Sequence, residues 1–493
     1  MATHFDCLII GAGISGLDAA YHVQTHCKWA TYCILERRAN LGGTWDFFKY
    51  PGIRSDSDMH TFGFSWKIWK SSQPIATAEE IMAYLKEAAE EQGIMEKIKF
   101  NCNIETAEWS SSDNLWYLET SNKVKYTCSM LFGCTGYFSY ENPYEPRFPG
   151  HDDFKGPIVH PQKWNEQCDE MIKGKKVAMI GSGATAVTIL PSIAESAEHV
   201  TMVQRTPTYI AARPVIDPVA DFFKRWLPES IAVRINRYKA VILGALFYQY
   251  CSRYPESAKK YVRKMMFKEV KSVMSEEEFN KHFTPPYNPW EQRFCLAPGG
   301  DFYQSLRAGK ASIVTGHIDK LTEQGILMKD GTLVEADFII SSTGLTMQQN
   351  FPFSTIKAKI DGKEYKAADH CIYNGIMIDD VPNMAFIVGY TNASWTLKAD
   401  IASIYFTQLL NHMRSNNIEK VVPKLGDDVN YVYFTGGLSS GYFSRSKEVL
   451  PRQGDKYPWN TGVQDYITDL LRLTFRGFCR ESLEFFKNDK KIQ

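Results

Sequence analysis

The chain has 493 residues, more than one hydrophobic core usually holds, so two or three domains are expected. Lys+Arg and Asp+Glu both number 56, which leaves no net charge and excludes the basic stripe that marks a nucleic-acid binder. Eleven cysteines are scattered without a C-x-x-C pair, a pattern that argues for a reducing compartment and against a zinc module or dithiol centre, so no metal site is expected. No apolar run approaches the ~20 residues needed to span a bilayer. The N-terminal apolar stretch has no basic flank and runs straight into a glycine motif, so it reads as a buried strand and not a signal peptide. The expected location is cytoplasmic.

Phe5 to Ile10 is an apolar run of strand length, followed by Gly11-Ala12-Gly13-Ile14-Ser15-Gly16 and a helix-like stretch. In a dinucleotide fold the first glycine makes the tight turn, the second lets the backbone approach the pyrophosphate, and the third lets helix and strand pack closely. The helix N-terminus then offers N–H groups and positive dipole to the phosphates. Three glycines at this spacing are weak evidence alone, but a second run, Tyr32 to Leu35, ends in Glu36, twenty residues beyond Gly16. A carboxylate there accepts the ribose hydroxyls of an adenine dinucleotide, and its place at the N-terminus suits FAD. Gly42-Gly43-Thr44-Trp45 and the segment from Tyr50 to Asp58 follow as glycine- and proline-bearing loops able to lie close to a flat ligand.

The pattern recurs at Val177–Ile180 and Gly181-Ser182-Gly183-Ala184-Thr185-Ala186, and the next run, His199 to Gln204, ends in Arg205. Where Glu36 stood in the first unit, a cation now stands. A carboxylate would repel a 2′-phosphate, whereas arginine can grip it bidentately, so the second unit reads as an NADPH site. FAD first and NADPH second imply hydride transfer from nicotinamide to flavin.

Between the two units lies Phe154-Lys-Gly156-Pro-Ile-Val-His160-Pro-Gln-Lys-Trp164. This is F-x-G-x-x-x-H-x-x-x-W, which about one chain of this composition in a thousand would carry by chance. On this motif the chain resembles the type I Baeyer–Villiger monooxygenases. The stretches GGTWDFFKYPGIRSDSD, HPQKWNE, GSGATAVTILP, YNPWEQRFCL and VGYTNASWTLKAD look most similar to the ethionamide-activating subgroup, so the resemblance runs nearly end to end. It implies conversion of ketones to esters or lactones by way of a C4a-peroxyflavin, with O2 as co-substrate, and oxygenation of sulfur in thioethers or thioamides. Arg293 matches the family's active-site arginine, whose fixed charge would sit beside developing negative charge in a dry site. Asp56 matches the aspartate that orients it. Gln292 departs from the pattern, since many members have lysine there as a contact to NADPH. Lys398 has no role by this reading. A nitrogen- or sulfur-oxygenating flavin monooxygenase is the alternative, although such relatives usually end the motif in tyrosine.

The fold class that follows is α/β: two Rossmann-like dinucleotide-binding domains, for FAD and NADPH, with a helical insertion. The FAD domain is expected to span 1–145 and 346–493, the NADPH domain 150–212 and 290–345, and the insertion 213–289. His160 reads as a fastening for the interdomain linker, with a proton relay as the other reading. Apolar and aromatic residues of the insertion alternate with Lys and Arg at helical spacing. That pattern fits a cap at the substrate entrance, or a face lying on a membrane surface.

Overall fold

The structure, a computed structural model, describes residues 2–292, 294–433, 441–461, 465–475, 482–488 and 490–492. Apolar runs without alternation belong in parallel strands covered on both faces, and one such run leads into each glycine motif. Strand β1 (Thr3–Ile10) is buried from Cys7 to Ile10 and feeds helix α1 (Ile14–His26). The chain returns through β2 (Tyr32–Leu35), all four residues buried and parallel to β1, with Ile10 opposite Leu35. Helix α2 (Ala78–Glu91) starts in a capping box in which Thr77 and Glu80 satisfy each other's backbone donors. Then β3 (Ile98–Lys99) extends the sheet beyond β2. An antiparallel meander of β4 (Ile104–Ser110), β5 (Leu115–Thr120) and β6 (Lys125–Gly133) closes back on β1, which β6 pairs in parallel.

The five-stranded sheet of the second unit is wholly parallel. Strand β7 (Ile158–Val159) marks one edge, and β8 (Lys176–Ile180), α3 (Ala184–Ala194) and β9 (His199–Gln204) repeat the strand–helix–strand arrangement. After a short strand, β10 (Ile210–Arg213), the chain forms four helices: α4 (Pro218–Trp226), α5 (Glu229–Arg253), α6 (Pro255–Val270) and α7 (Glu276–Phe283). Strand β11 (Cys295–Pro298) then pairs in parallel with β10, a ribbon too short to announce itself in the sequence. Helix α8 (Asp301–Arg307), β12 (Ala311–Thr315) and β13 (Phe338–Ser341) complete a sheet of order β12-β9-β8-β13-β7. The chain finally rejoins the first sheet: Lys357–Ile360 pairs with β4, and Met384–Phe386 pairs with β6. Helix α9 (Trp395–Asn416) covers the first sheet beside α1.

One buried polar cluster locks α1 to α9. The His22 Nε2 bonds Asp400 Oδ1 at 2.9 Å and lies 3.8 Å from Asp18 Oδ1. The indole N–H of Trp66 donates to Asp18 Oδ1 at 3.0 Å, and Ser403 Oγ donates to Oδ2 at 3.2 Å. Ser65 Oγ donates to Asp400 Oδ1 at 2.7 Å. Burial, opposed by His22 and reinforced by Asp400, pushes the Asp18 carboxyl up to about 7. Burial works against the His22 imidazolium, but the two carboxylates outweigh it and its pKa ends above the ordinary value. Both groups therefore titrate upward on folding, and the stability they contribute is lost as pH rises through their folded values. Asp400, held low chiefly by the His22 hydrogen bond against its burial, acts in the opposite sense at more acidic pH. Raising the pH from about 6 to about 8 should lower the melting temperature of the wild type, by about 1 °C per kcal/mol lost for a chain of this length. Asp18→Asn, which imitates the protonated acid, should flatten that slope. Parallel thermal curves for the two proteins would refute this account.

Candidate functional site

At the first glycine motif the backbone leaves no room for side chains. Gly11 has φ +101°, and a Cβ there would sit 2.5 Å from the Cys134 carbonyl oxygen of the neighbouring strand end. At Gly16 a Cβ would come within 1.9 Å of the Gly11 carbonyl oxygen, so helix and turn could not pack. Gly13 faces the Gly43 backbone, where a Cβ would lie 3.7 Å from the Gly43 Cα. The two loops are tied by Gly42 N–H donating to Ala12 O at 2.9 Å. Glu36 closes β2 and is buried. Its Oε2 accepts from Ala12 N–H at 2.7 Å and its Oε1 from Arg38 N–H at 2.8 Å. Each carboxylate oxygen keeps a further lone pair.

The second motif repeats the first turn. Gly181 has φ +120°, and a Cβ there would meet the Ser342 carbonyl oxygen at 2.3 Å. Gly183 differs: a Cβ would meet nothing within 4 Å, so this glycine leaves an open cradle at the start of α3. Ser182 Oγ donates to Thr206 O at 2.9 Å and holds the following loop. Arg205, just past β9, is exposed and makes no ion pair among the described residues. Ala186 is fully buried in the core between α3 and the second sheet.

Both cradles open on one cavity of about 930 Å³. Gly11, Gly13, Glu36, Gly43, Thr44, Trp45 and Asp56 line it from the first sheet's side, and Gly181, Gly183, Arg205 and Gln292 from the second. Gly16 and Ala186 stand behind the wall, where they serve packing. Arg293 lies outside the described residues. Spacing alone did not single out Arg37, Arg54, Tyr390, Trp395 or Arg445, which also line the cavity. Arg54 forms an ion pair with Asp301 at the start of α8, joining the loop before Asp56 to the second unit. No local signal could reveal a partner 247 residues away. Trp395 donates its indole N–H to Ser15 Oγ at 2.7 Å, so α9 begins against the first glycine motif.

The four residues of the linker motif lie away from the cavity. Phe154 is buried among Ala178, Ile180 and Ile339. A Cβ on Gly156 would strike the Asp337 carbonyl oxygen at 2.2 Å. His160 caps the turn Pro161–Lys163: its Nδ1 accepts from Gln162 N–H at 3.1 Å, and its Nε2–H donates to the Gly344 carbonyl at 2.9 Å. Burial lowers its pKa, which favours the neutral ring these two bonds require. Trp164 is buried against Phe338 and donates to Asp169 Oδ1 at 3.0 Å. Lys398, without a role by sequence, is buried with its ammonium 2.8 Å from Asp469 Oδ2.

Comparison with known proteins agrees with this geometry. The flavin-binding monooxygenase-like family model matches residues 6–367. The chain is 44% identical over 494 residues to the FAD-containing monooxygenase EthA of Mycolicibacterium smegmatis, covering 99% of this chain and 98% of that protein. It is 42% identical over 500 residues to the probable FAD-binding monooxygenase AlmA of Acinetobacter baylyi, covering 100% and 98%. Among solved structures, an oxidized steroid monooxygenase bound to NADP superposes with a TM-score of 0.73 at 20% identity, over 99% of this chain and 100% of that one. The closed crystal structure of cyclohexanone monooxygenase superposes with a TM-score of 0.67 at 20% identity, over 86% and 87%. These two likenesses establish the two-Rossmann fold, while the sequence matches extend from end to end. The chain belongs to the flavin-binding monooxygenase-like family and is a flavoprotein monooxygenase.

Proposed function

We propose that the chain is an FAD- and NADPH-dependent Baeyer–Villiger monooxygenase that converts ketones to esters or lactones and also oxygenates sulfur in thioethers or thioamides. The observation that carries this reading is that two glycine cradles, one followed by Glu36 and the other by Arg205, open on a single cavity. The residues fit the two cofactors. Gly13 and Gly43 bring bare backbone to the cavity, and the spare lone pairs of Glu36 suit ribose hydroxyls. The open cradle at Gly183 lies at the N-terminus of α3, where backbone N–H groups favour a pyrophosphate. Exposed Arg205 suits a 2′-phosphate. The domains are read as 1–145 and 346–493 for FAD, 150–212 and 290–345 for NADPH, and 213–289 as insertion.

When bound, FAD and NADPH supply the redox chemistry that activates O2. The chain's own residues then have three tasks. Arg293 would present fixed positive charge to the oxygen that gains negative charge, and Asp56, at the cavity wall, would orient it. Trp45, Tyr137, Phe138 and Trp395 give the cavity apolar walls that exclude water. His160 and Trp164 hold the linker, and His160 ties it to the turn at Gly344.

Two measurements check this reading. The FAD-loaded protein, given NADPH, labelled oxygen gas and a linear or aryl methyl ketone, should yield an ester carrying one labelled atom. Consumption of NADPH with peroxide but no ester, followed by sulfoxide from a thioether, would point to the heteroatom-oxygenating alternative. Substituting Arg205→Ala should raise KM for NADPH by roughly 10–100-fold, as expected for one charge-assisted contact, and leave KM for NADH nearly unchanged. Equal effects on both nucleotides would remove Arg205 from the 2′-phosphate.

A second feature favours a membrane surface as partner of the insertion. Helices α4 and α5 expose Phe222, Trp226, Ile231, Tyr238, Ile242 and Leu246, with Trp226 at 74% and Tyr238 at 65% accessibility. On α5 the exposed apolar residues recur at helical spacing. Arg225, Arg234 and Arg253 are exposed on the same helices, Lys260 and Lys264 on α6, and cations outnumber acids in 213–289. No helix among the described residues is long and apolar enough to cross a membrane, so contact would be interfacial. The protein should co-sediment with phosphatidylglycerol vesicles at low salt, and Trp226→Asp with Phe222→Asp should abolish this. Indifference of the wild type to such vesicles sinks the membrane reading.

A further inference from the structure

Behind one wall of the cavity lies a buried ion pair that the reaction as proposed does not use. Tyr390 follows the strand Met384–Phe386, lines the cavity and is 5% exposed. Its O–H donates to Asp469 Oδ2 at 2.7 Å, and Asp469 does not line the cavity. The same oxygen accepts from the Lys398 ammonium at 2.8 Å, and Lys398 also donates to the Asn374 carbonyl at 3.2 Å. The ammonium sits 5.5 Å from the centre of the Tyr390 ring, a cation–π contact that adds a second hold on that ring. Gly375, at φ +67°, closes over the lysine; a Cβ there would come within 3.3 Å of Nζ. Lys398 is thus enclosed on every side that the structure describes, with a side-chain accessibility of 7% against 23% for Asp469.

Four separate parts of the chain meet at this point: the first turn of α9, the loop after Met384–Phe386, the turn at Asn374 and Gly375, and the helix Tyr466–Asp469. A buried ammonium needs a compensating anion, and a buried phenol needs an acceptor. Asp469 meets both needs at one oxygen, so the orientation of Tyr390 depends on Lys398 through it. Burial, then the nearby Asp469 charge, hold the Tyr390 phenol far above its ordinary pKa, which keeps it a hydrogen-bond donor. Trp395, three residues before Lys398 on the same helix, faces the cavity beside it and is itself anchored to Ser15.

We propose that Lys398 is a positioning residue for the reaction cavity: by neutralising Asp469 it fixes the Tyr390 ring as a rigid wall against which substrate is oriented. The proposal rests on the reading of this cavity as the place where substrate is oxygenated. Lys398 touches neither substrate nor cofactor and acts only through Asp469 and Tyr390.

The test uses the FAD-loaded full chain and 2-octanone as probe. In Lys398→Met the KM for 2-octanone should rise about tenfold or more, and the fraction of NADPH oxidised that ends as ester should fall by at least half, with hydrogen peroxide making up the difference. FAD content and the rate of NADPH oxidation without ketone should stay at wild-type values. Adding Asp469→Asn to Lys398→Met should restore both KM and coupling, because a neutral amide oxygen accepts the Tyr390 O–H without needing a cation. Hydrogen–deuterium exchange gives a readout independent of turnover: Lys398→Met should speed exchange in the loop 388–394, and the double variant should slow it again. Unchanged KM and coupling, or unchanged exchange in that loop, overturns the proposal. So does a loss of FAD or of basal NADPH oxidation that Asp469→Asn fails to repair, since that marks Lys398 as support for the fold alone. If the wild type makes no ester, the ketone reading falls, and the exchange measurement still decides the role of Lys398.

Discussion

A dinucleotide can lie against a helix N-terminus only where the turn from strand to helix presses directly on the neighbouring strand with no Cβ between. In this chain that approach is made twice. At Gly11 the limiting contact is the Cys134 carbonyl and at Gly181 the Ser342 carbonyl, each closer than 2.6 Å to where a Cβ would be. The strands that end one residue before those carbonyls, β6 and β13, come from distant parts of the chain and pair in parallel with β1 and β8. The sheet order therefore serves the turns: each glycine is needed because a particular strand lies beside it.

Directional polar ties are among the contacts that join the two units and the insertion. Gln162 Nε2 donates to the Ser139 and Tyr140 carbonyls, and Arg54 reaches from the loop before Asp56 to Asp301 on α8. Arg237 of α5 donates to the carbonyls of His60, Thr61 and Gly63, fastening the insertion to the first unit. Such ties are directional and replaceable by water at modest net cost, unlike the large apolar cores within each sheet. Relative motion of the units around the cavity would break these bonds first. The four residues of the linker motif pack and bond without lining the cavity.

The insertion carries the opposite balance. A helix normally turns its apolar stripe inward, yet α5 buries only Ala232, Asn236 and Cys251 while Tyr238, Ile242 and Leu246 face outward. This outward apolar face is what supports the membrane contact proposed for the insertion. The exposed cations on the same helices give that surface a sign as well as a hydrophobic face.

Much of the fold and part of the site were legible in the residues alone, and the division has a physical basis. Local rules sufficed wherever a strand, turn and helix are contiguous: β2 and β9 run over the same residues as the apolar runs Tyr32–Leu35 and His199–Gln204. The helical character of the insertion likewise follows from its periodicity, whereas its division into four helices came from the structure. Glu36 and Arg205 could be picked out because their position is fixed by counting from a glycine turn. What no local rule reaches is any pairing between residues far apart in the chain. The β10–β11 ribbon, the bond from Arg54 to Asp301, the cluster of Asp18, His22 and Asp400, and the burial of Lys398 over Asp469 all join segments whose meeting is decided by chain topology and core packing. Sequence by itself determined the two nucleotide turns and the family; only the tertiary structure decided that both turns face one cavity, and which buried charges hold its walls.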